Sequence, residues 1–226
     1  MRRHFRLFTI GLVNDLDIYG IVANPQSSST ICFTAGIHGN EYAGPHAALN
    51  FLDEGRIPNS KRIWMAPLIN PWGFIHGKRE AEKVNLNRQF NVGHAPRREA
   101  GLLANALERE QFQFMHSIHE DNEADGFYLY YENPKIKSKC KQILEIAQEH
   151  MQLDTRTNIY GDKVESPGLI FVDPKMARRG HHAHSLEKWM IKQNVDCLTT
   201  ETPTRLSYKQ RVGCISDIMQ FVVENF

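Results

Sequence analysis

The apolar run Ile31-Cys-Phe-Thr-Ala35 stops at Gly36, and within six residues the chain has released an imidazole, His38, and a carboxylate, Glu41. A helix-like segment from Gly44 to about residue 54 follows, then Gly55 and Pro58, then a second apolar run, Arg62-Ile-Trp-Met-Ala-Pro-Leu-Ile69. Strand, helix and strand in that rhythm are the unit of an α/β fold. The fold this implies is a single α/β domain over residues 1–226, with a mixed, mostly parallel sheet flanked by helices. At 226 residues, 41% hydrophobic and 23% charged, the chain is long enough to bury one sizeable core.

Other segments fit the same plan. Residues 5–12 and 18–23 read as two short strands around an Asn14-Asp15 turn. Residues 97–114 read as a helix, with Ala100, Leu103, Ala104 and Leu107 at helical spacing, and Gly126–Glu132 as a strand. A helix is expected over 135–150, a strand over Leu169–Val172, a helix from His181 to about 193, a strand from Val195 to Thr199, and a closing helix from about 206 to 224. The stretch from Asn70 to Phe90 has little periodicity. It is rich in Arg, Asn and aromatic residues, and a long irregular loop of that kind in a compact domain is usually functional.

His38 and Glu41 carry the first chemical signal. Zinc accepts His nitrogen and Glu oxygen at about 2.0–2.2 Å, and a catalytic site takes three protein ligands with one position left open. The same pair at a helix start also serves as a solvated cap, so a third ligand has to decide between the two readings. Four groups stand at or beyond the ends of expected strands: His38 with Glu41, Arg79 with Asn87 and Arg88, His119, and Glu201. In open α/β sheets such groups converge at the carboxyl ends of the strands. His119 has a rival in His116; period-2 alternation and a place at the strand's end favour His119.

These motifs, His38-Gly-Asn-Glu41, Asn70-Pro-Trp-Gly73, Asn85-Leu-Asn-Arg88, His119 and Glu201 in Glu-Thr-Pro, resemble the zinc carboxypeptidases of the carboxypeptidase A type and their relatives, the succinylglutamate desuccinylases and aspartoacylases. The resemblance spans residues 31 to 203. It implies one zinc per chain held by His38, Glu41 and His119, Glu201 as general base and acid, Arg79 polarising the scissile carbonyl, and Asn87 with Arg88 holding a substrate carboxylate. The family's mobile tyrosine has no clear match, and Tyr160 is taken as its candidate. Where the family usually has Asp-Leu-Asn-Arg, this chain has Asn85 in place of the acid.

The implied function is a zinc metallocarboxypeptidase acting on short or cell-wall-derived peptides. The alternative is an N-acyl amino acid deacylase of the desuccinylase type. A non-catalytic binding protein on the same fold is a third reading, which the intact ligand set and Glu201 argue against. With 27 basic and 26 acidic residues the formal charge is +1, which gives no bulk case for nucleic acid or an anionic membrane as partner. Cys32, Cys140, Cys197 and Cys214 are widely spaced within apolar or helix-like segments, as expected of reduced thiols in a cytoplasmic protein. The N-terminal segment lacks a signal-peptide pattern. His181, His182 and His184 form a further cluster, read as a solvated helix start rather than a second metal site because Arg178 and Arg179 precede it.

Overall fold

A hairpin opens the sheet. Strands β1 (Phe5–Val13) and β2 (Leu16–Ala23) pair antiparallel across Asn14 and Asp15, whose φ angles of 51° and 59° are ones that Asn and Asp tolerate in tight hairpin turns. The chain continues through β3 (Ser29–Ala35), α1 (Ala43–Glu54), β4 (Lys61–Ala66), α2 (Pro71–His76), α3 (Arg98–Leu107), β5 (Phe114–Asp121), β6 (Tyr128–Tyr131) and α4 (Lys137–Gln148). It then forms the two-residue strands β7 (Asn158–Ile159) and β8 (Asp162–Lys163), β9 (Leu169–Phe171), α5 (Leu186–Lys192), β10 (Asp196–Pro203) and α6 (Tyr208–Asn225). The computed structural model describes residues 5–54, 57–90, 98–173 and 182–226. The expected residues Gly55, Arg178, Arg179 and His181, and the expected helix start at residue 97, lie outside them.

Eight strands form one sheet in the order β1-β2-β4-β3-β5-β10-β6-β9, with a small separate β7-β8 pair. The four central strands, β4, β3, β5 and β10, run parallel, and antiparallel pairings join β2 to β4 and β6 to β10. Helices cover both faces. On one, α1, α4 and α6 pack over Ile31, Phe33, Met65, Ile118 and Leu198; on the other, α3 and α5 pack over Cys32, Trp64, Met115 and Cys197. This two-sided burial explains why β3 and β5 read as nearly continuous apolar or buried runs, all eight residues of β5 being buried. The Leu and Met side chains of such a core contribute about 1.5–3 kcal/mol each when fully buried.

Several boundaries differ from the sequence reading; the strand expected from Val195 to Thr199 is β10, which runs on to Pro203 in register with β5, so Glu201 lies within it. The helix expected over 97–114 ends at Leu107, because Phe114 begins β5 and its ring is buried against Phe226 at a 3.9 Å centroid distance. The helix expected from His181 starts only at Leu186, where Ser185 accepts a hydrogen bond from the Lys188 N–H. The stretch after Asn70 contains α2, which Asn70 caps, Pro71 starts and Gly77 ends in the left-handed region. Ala81, Leu86 and Phe90 pin the remainder of that stretch to the core. All four cysteines are buried free thiols, and no described helix is long and apolar enough to cross a membrane.

Candidate active site

The turn that carries His38 is braced by the segment after β4. Gly36 has φ 61°, and its carbonyl accepts the Asn70 N–H at 2.8 Å, while the Ala35 carbonyl accepts the Ile69 N–H. The Asn70 side chain takes the Gly73 N–H at 2.8 Å and donates to the Arg79 carbonyl, which also accepts the Gly39 N–H. A Cβ on Gly39 would stand 2.2 Å from the Gly73 carbonyl carbon. Gly39 is therefore required because two backbones touch there, which no larger residue permits.

His38, Glu41 and His119 meet at this turn, each buried, with one ligand atom apiece lying within 4.8 Å of the others. Glu41 Oε1 is 2.6 Å from His38 Nδ1, and its Oε2 is 3.0 Å from His119 Nδ1. Among the described residues no other cluster of this kind occurs. Burial works against the Glu41 charge, yet the two imidazoles hold its carboxyl well below the usual range. His38 moves down because burial outweighs its one carboxylate neighbour. His119 moves up despite burial, because it stands between Glu41 and a second acid, Glu187. Two imidazoles and a carboxylate, all at one buried point with their nitrogen and oxygen donors converging, fit zinc.

Glu187 is the site residue that sequence reasoning missed. Its Oε1 is 3.2 Å from His119 Nε2 and accepts the Ser117 hydroxyl at 2.6 Å. Its Oε2 lies 3.4 Å from Asn87 Nδ2, and Asn87 Oδ1 accepts the Leu186 N–H at 2.8 Å. Burial opposes the Glu187 charge, but the hydrogen bonds from His119 and Ser117 hold it far below the ordinary carboxylate value. Asn87 is thus fastened to α5, next to Arg88. Asn85 Oδ1 and His38 Nε2 are both buried with no hydrogen-bond partner among the described residues.

A cavity of about 380 Å³ opens beside the cluster and is lined by His38, His119, Arg79, Asn87, Arg88 and Glu201, among others. Strand alternation sorts the two histidines of β5: His119 lines the cavity with Asp121, whereas His116 turns away, its Nε2 2.8 Å from the Thr200 hydroxyl. Glu201 is paired in register with His119 on the neighbouring strand. Its side chain opens to the cavity yet is hemmed in by protein, and that desolvation pushes its carboxyl up to about 8 in the metal-free chain, with Glu41 and Asp121 adding to the shift and His119 and Arg79 opposing it. Arg79 is half exposed and leans on Glu41 Oε1 at 3.1 Å. Arg88 is partly buried, its Nη1 donating to the Asn87 carbonyl. Tyr160 lies on the rim, half exposed, and its hydroxyl donates to Asp121 Oδ1 at 3.0 Å. Of the histidine cluster, His182 Nε2 sits 2.6 Å from Asp162.

The model of the succinylglutamate desuccinylase/aspartoacylase catalytic domain matches residues 27–156, more than half of the chain. The chain belongs to this family. It is therefore a hydrolase-family chain, and the match takes in His38, Glu41, Arg79, Asn87, Arg88 and His119 while ending before Glu187 and Glu201. Solved structures under 25% identical share the fold. A candidate metallopeptidase from Shewanella amazonensis superposes with a TM-score of 0.84 at 23% identity, covering 97% of this chain and 86% of that one. A murein-tripeptide amidase from Escherichia coli O157 gives 0.66 at 17% identity, covering 97% and 92%. A succinylglutamate desuccinylase from a Silicibacter species gives 0.66 at 15% identity, covering 98% and 67%. No curated protein matches the chain in sequence.

Proposed function

We propose that the chain is a zinc-dependent carboxypeptidase that hydrolyses the amide bond next to a free carboxylate in a short peptide. The observation that supports this most is the juxtaposition, on one cavity, of the His38-Glu41-His119 donor set, the Glu201 carboxylate and the Arg88 guanidinium. His38, Glu41 and His119 would hold the metal. Zinc, when bound, supplies a Lewis acid for the carbonyl and lowers the pKa of water toward about 7.

The chain's own residues perform the remaining work. Arg88 grips the substrate carboxylate, a guanidinium being suited to two parallel hydrogen bonds, and Asn87 keeps that loop in place through α5. Arg79, half exposed at the mouth, supplies fixed positive charge for the oxygen that becomes negative as the carbonyl is attacked. Glu201 takes the proton of the attacking water and delivers it to the leaving nitrogen, which is worth about 10²–10⁴-fold in rate. An acid that lines the cavity in register with His119, on the neighbouring strand, is placed for that task. Asp121 holds Tyr160 at the rim, where the ring can cover a bound substrate.

The second reading, an N-acyl amino acid deacylase, is favoured by the family match. One experiment separates the two: metal content of purified protein, followed by release of C-terminal residues from short peptides against cleavage of N-acyl amino acids. About one zinc per chain with C-terminal-residue release supports the peptidase. Cleavage confined to N-acyl amino acids replaces it with the deacylase, and a metal-free, inert protein sinks both.

A further inference from the structure

The turn between His38 and α1 is held from a second strand. The Glu41 N–H returns to the His38 carbonyl at 3.2 Å, and α1 begins two residues after Glu41, at Ala43. That helix start has no acid in its first turn, and Pro45 brings no N–H, so the amides at its head take their acceptor from elsewhere. Glu120 supplies it: its Oε2 accepts the Ala43 N–H at 2.8 Å. The helix head is also pressed close to the sheet, since a Cβ on Gly44 would stand 3.0 Å from Ile118 Cγ2 and 3.1 Å from Ala35 Cβ.

Glu120 is itself fixed. It follows His119 on β5 and borders the cavity, yet both its oxygens are taken by protein donors. Its Oε1 accepts from Arg211 Nη1 and lies 3.4 Å from the hydroxyl of Thr202, the residue in register with it on β10. Arg211 reaches there from α6, its side chain 11% exposed, with Nε donating to the Leu206 carbonyl at 3.1 Å. A buried ion pair brings little net stability, because desolvation offsets the attraction. What this one does is hold a carboxylate oxygen at one point. Strand β5 thus serves the cluster twice: it presents His119 directly, and through the next residue it ties down the helix head behind Glu41, whose Oε2 lies 3.0 Å from His119 Nδ1.

We propose that Glu120 is a positioning residue of the metal site: by holding the Ala43 N–H, with Arg211 behind it, it keeps the Glu41 carboxylate in reach of the ion that His38 and His119 share. This rests on the reading of His38, Glu41 and His119 as the metal ligands. With its own oxygens committed to Ala43, Thr202 and Arg211, Glu120 acts through Glu41, as residues that orient a metal's ligands do.

The test measures zinc affinity of the full-length protein by competition with a chelator, so it needs no turnover. The expected result is a loss of about 10–100-fold in Glu120→Ala and a much smaller one in Glu120→Gln, which keeps an acceptor for the Ala43 N–H. In a Glu41→Ala background, Glu120→Ala should cost nothing further, because a residue that acts through another loses its effect with it. Parent-like zinc affinity in Glu120→Ala overturns the proposal, and so does an equal loss with and without Glu41, which a merely structural role would produce. If Glu120→Ala fails to fold, hydrogen exchange on the parent protein decides. Zinc should then slow exchange of the Ala43 amide at least about 10-fold, because a contact that strengthens zinc binding is strengthened by zinc in turn. Exchange unchanged by zinc overturns the proposal. A parent protein that binds no zinc ends the metal-site reading and this proposal with it. If zinc binding follows the expected pattern but no amide is cleaved, the role of Glu120 stands and the hydrolase reading falls.

Discussion

Glu187 reaches across from α5 to His119, its Oε1 3.2 Å from Nε2 of the imidazole whose Nδ1 faces Glu41. A carboxylate on the far nitrogen of a ligating histidine fixes its tautomer and orientation and makes it a better donor. Glu187→Gln should therefore keep the fold and lower zinc affinity about 10–100-fold. Competition with a chromophoric chelator measures this directly, independent of turnover. Parent-like zinc affinity in the variant would reduce Glu187 to a packing residue.

Arg88 makes a different kind of test, because its assigned partner belongs to the substrate. Arg88→Ala should weaken cleavage of peptides with a free C-terminal carboxylate, by about 10–100-fold in kcat/KM for a lost charge-assisted pair. Amidated analogues, already poor, should change little. Equal losses on both kinds of peptide would assign Arg88 to the architecture of its loop, where it bonds the Asn87 carbonyl.

His116 links the fold to pH. It is fully buried on the face opposite the site, and burial, helped by nearby His119, pushes its pKa down to about 3 from 6.5. The unfolded chain takes up this proton near pH 6.5 and the folded chain does not, so the unfolded state binds more protons between the two values. The contribution is fully present above about pH 6.5 and is lost as pH falls, at up to about 1.4 kcal/mol per unit. In the metal-free protein, urea midpoints measured from pH 7 to pH 5 should fall less steeply for His116→Gln than for the parent. Parallel slopes would show that other groups account for the dependence.

The three clustered residues proposed as metal donors were legible because strand ends can be read from apolar runs: β3 leads into the turn with His38 and Glu41, and two-residue alternation along β5 separates His119 from His116. Glu187 had no comparable signal. It lies in the first turn of a seven-residue helix behind a serine cap, where an acid reads as an ordinary complement to the helix dipole, and only the packing of α5 against β5 brings it to His119. Helix α2 is too short for periodicity to reveal, although its Asn70-Pro71 start and Gly77 end are in the sequence. The central parallel order of the sheet follows from the strand-helix-strand rhythm; the antiparallel pairing of β6 beside β10 depends on contacts no local pattern specifies.

The assignment of Glu201 bears most directly on mechanism. It stands in register with His119 on the adjacent parallel strand, lines the cavity, and is absent from the cluster of donors that can meet at one ion. It should therefore act on the proton of the attacking water without holding the metal. Glutamine at this position keeps the size and the hydrogen-bonding oxygen but cannot accept that proton. Glu201→Gln should fold, retain its zinc and bind a carboxylate inhibitor near the parent affinity, yet lose on the order of 10²–10⁴ in turnover. Zinc content and rate are to be measured on the same preparation. Turnover near the parent rate would remove Glu201 from the proton transfer, and loss of zinc with the rate would make it a ligand and the three-donor site incomplete.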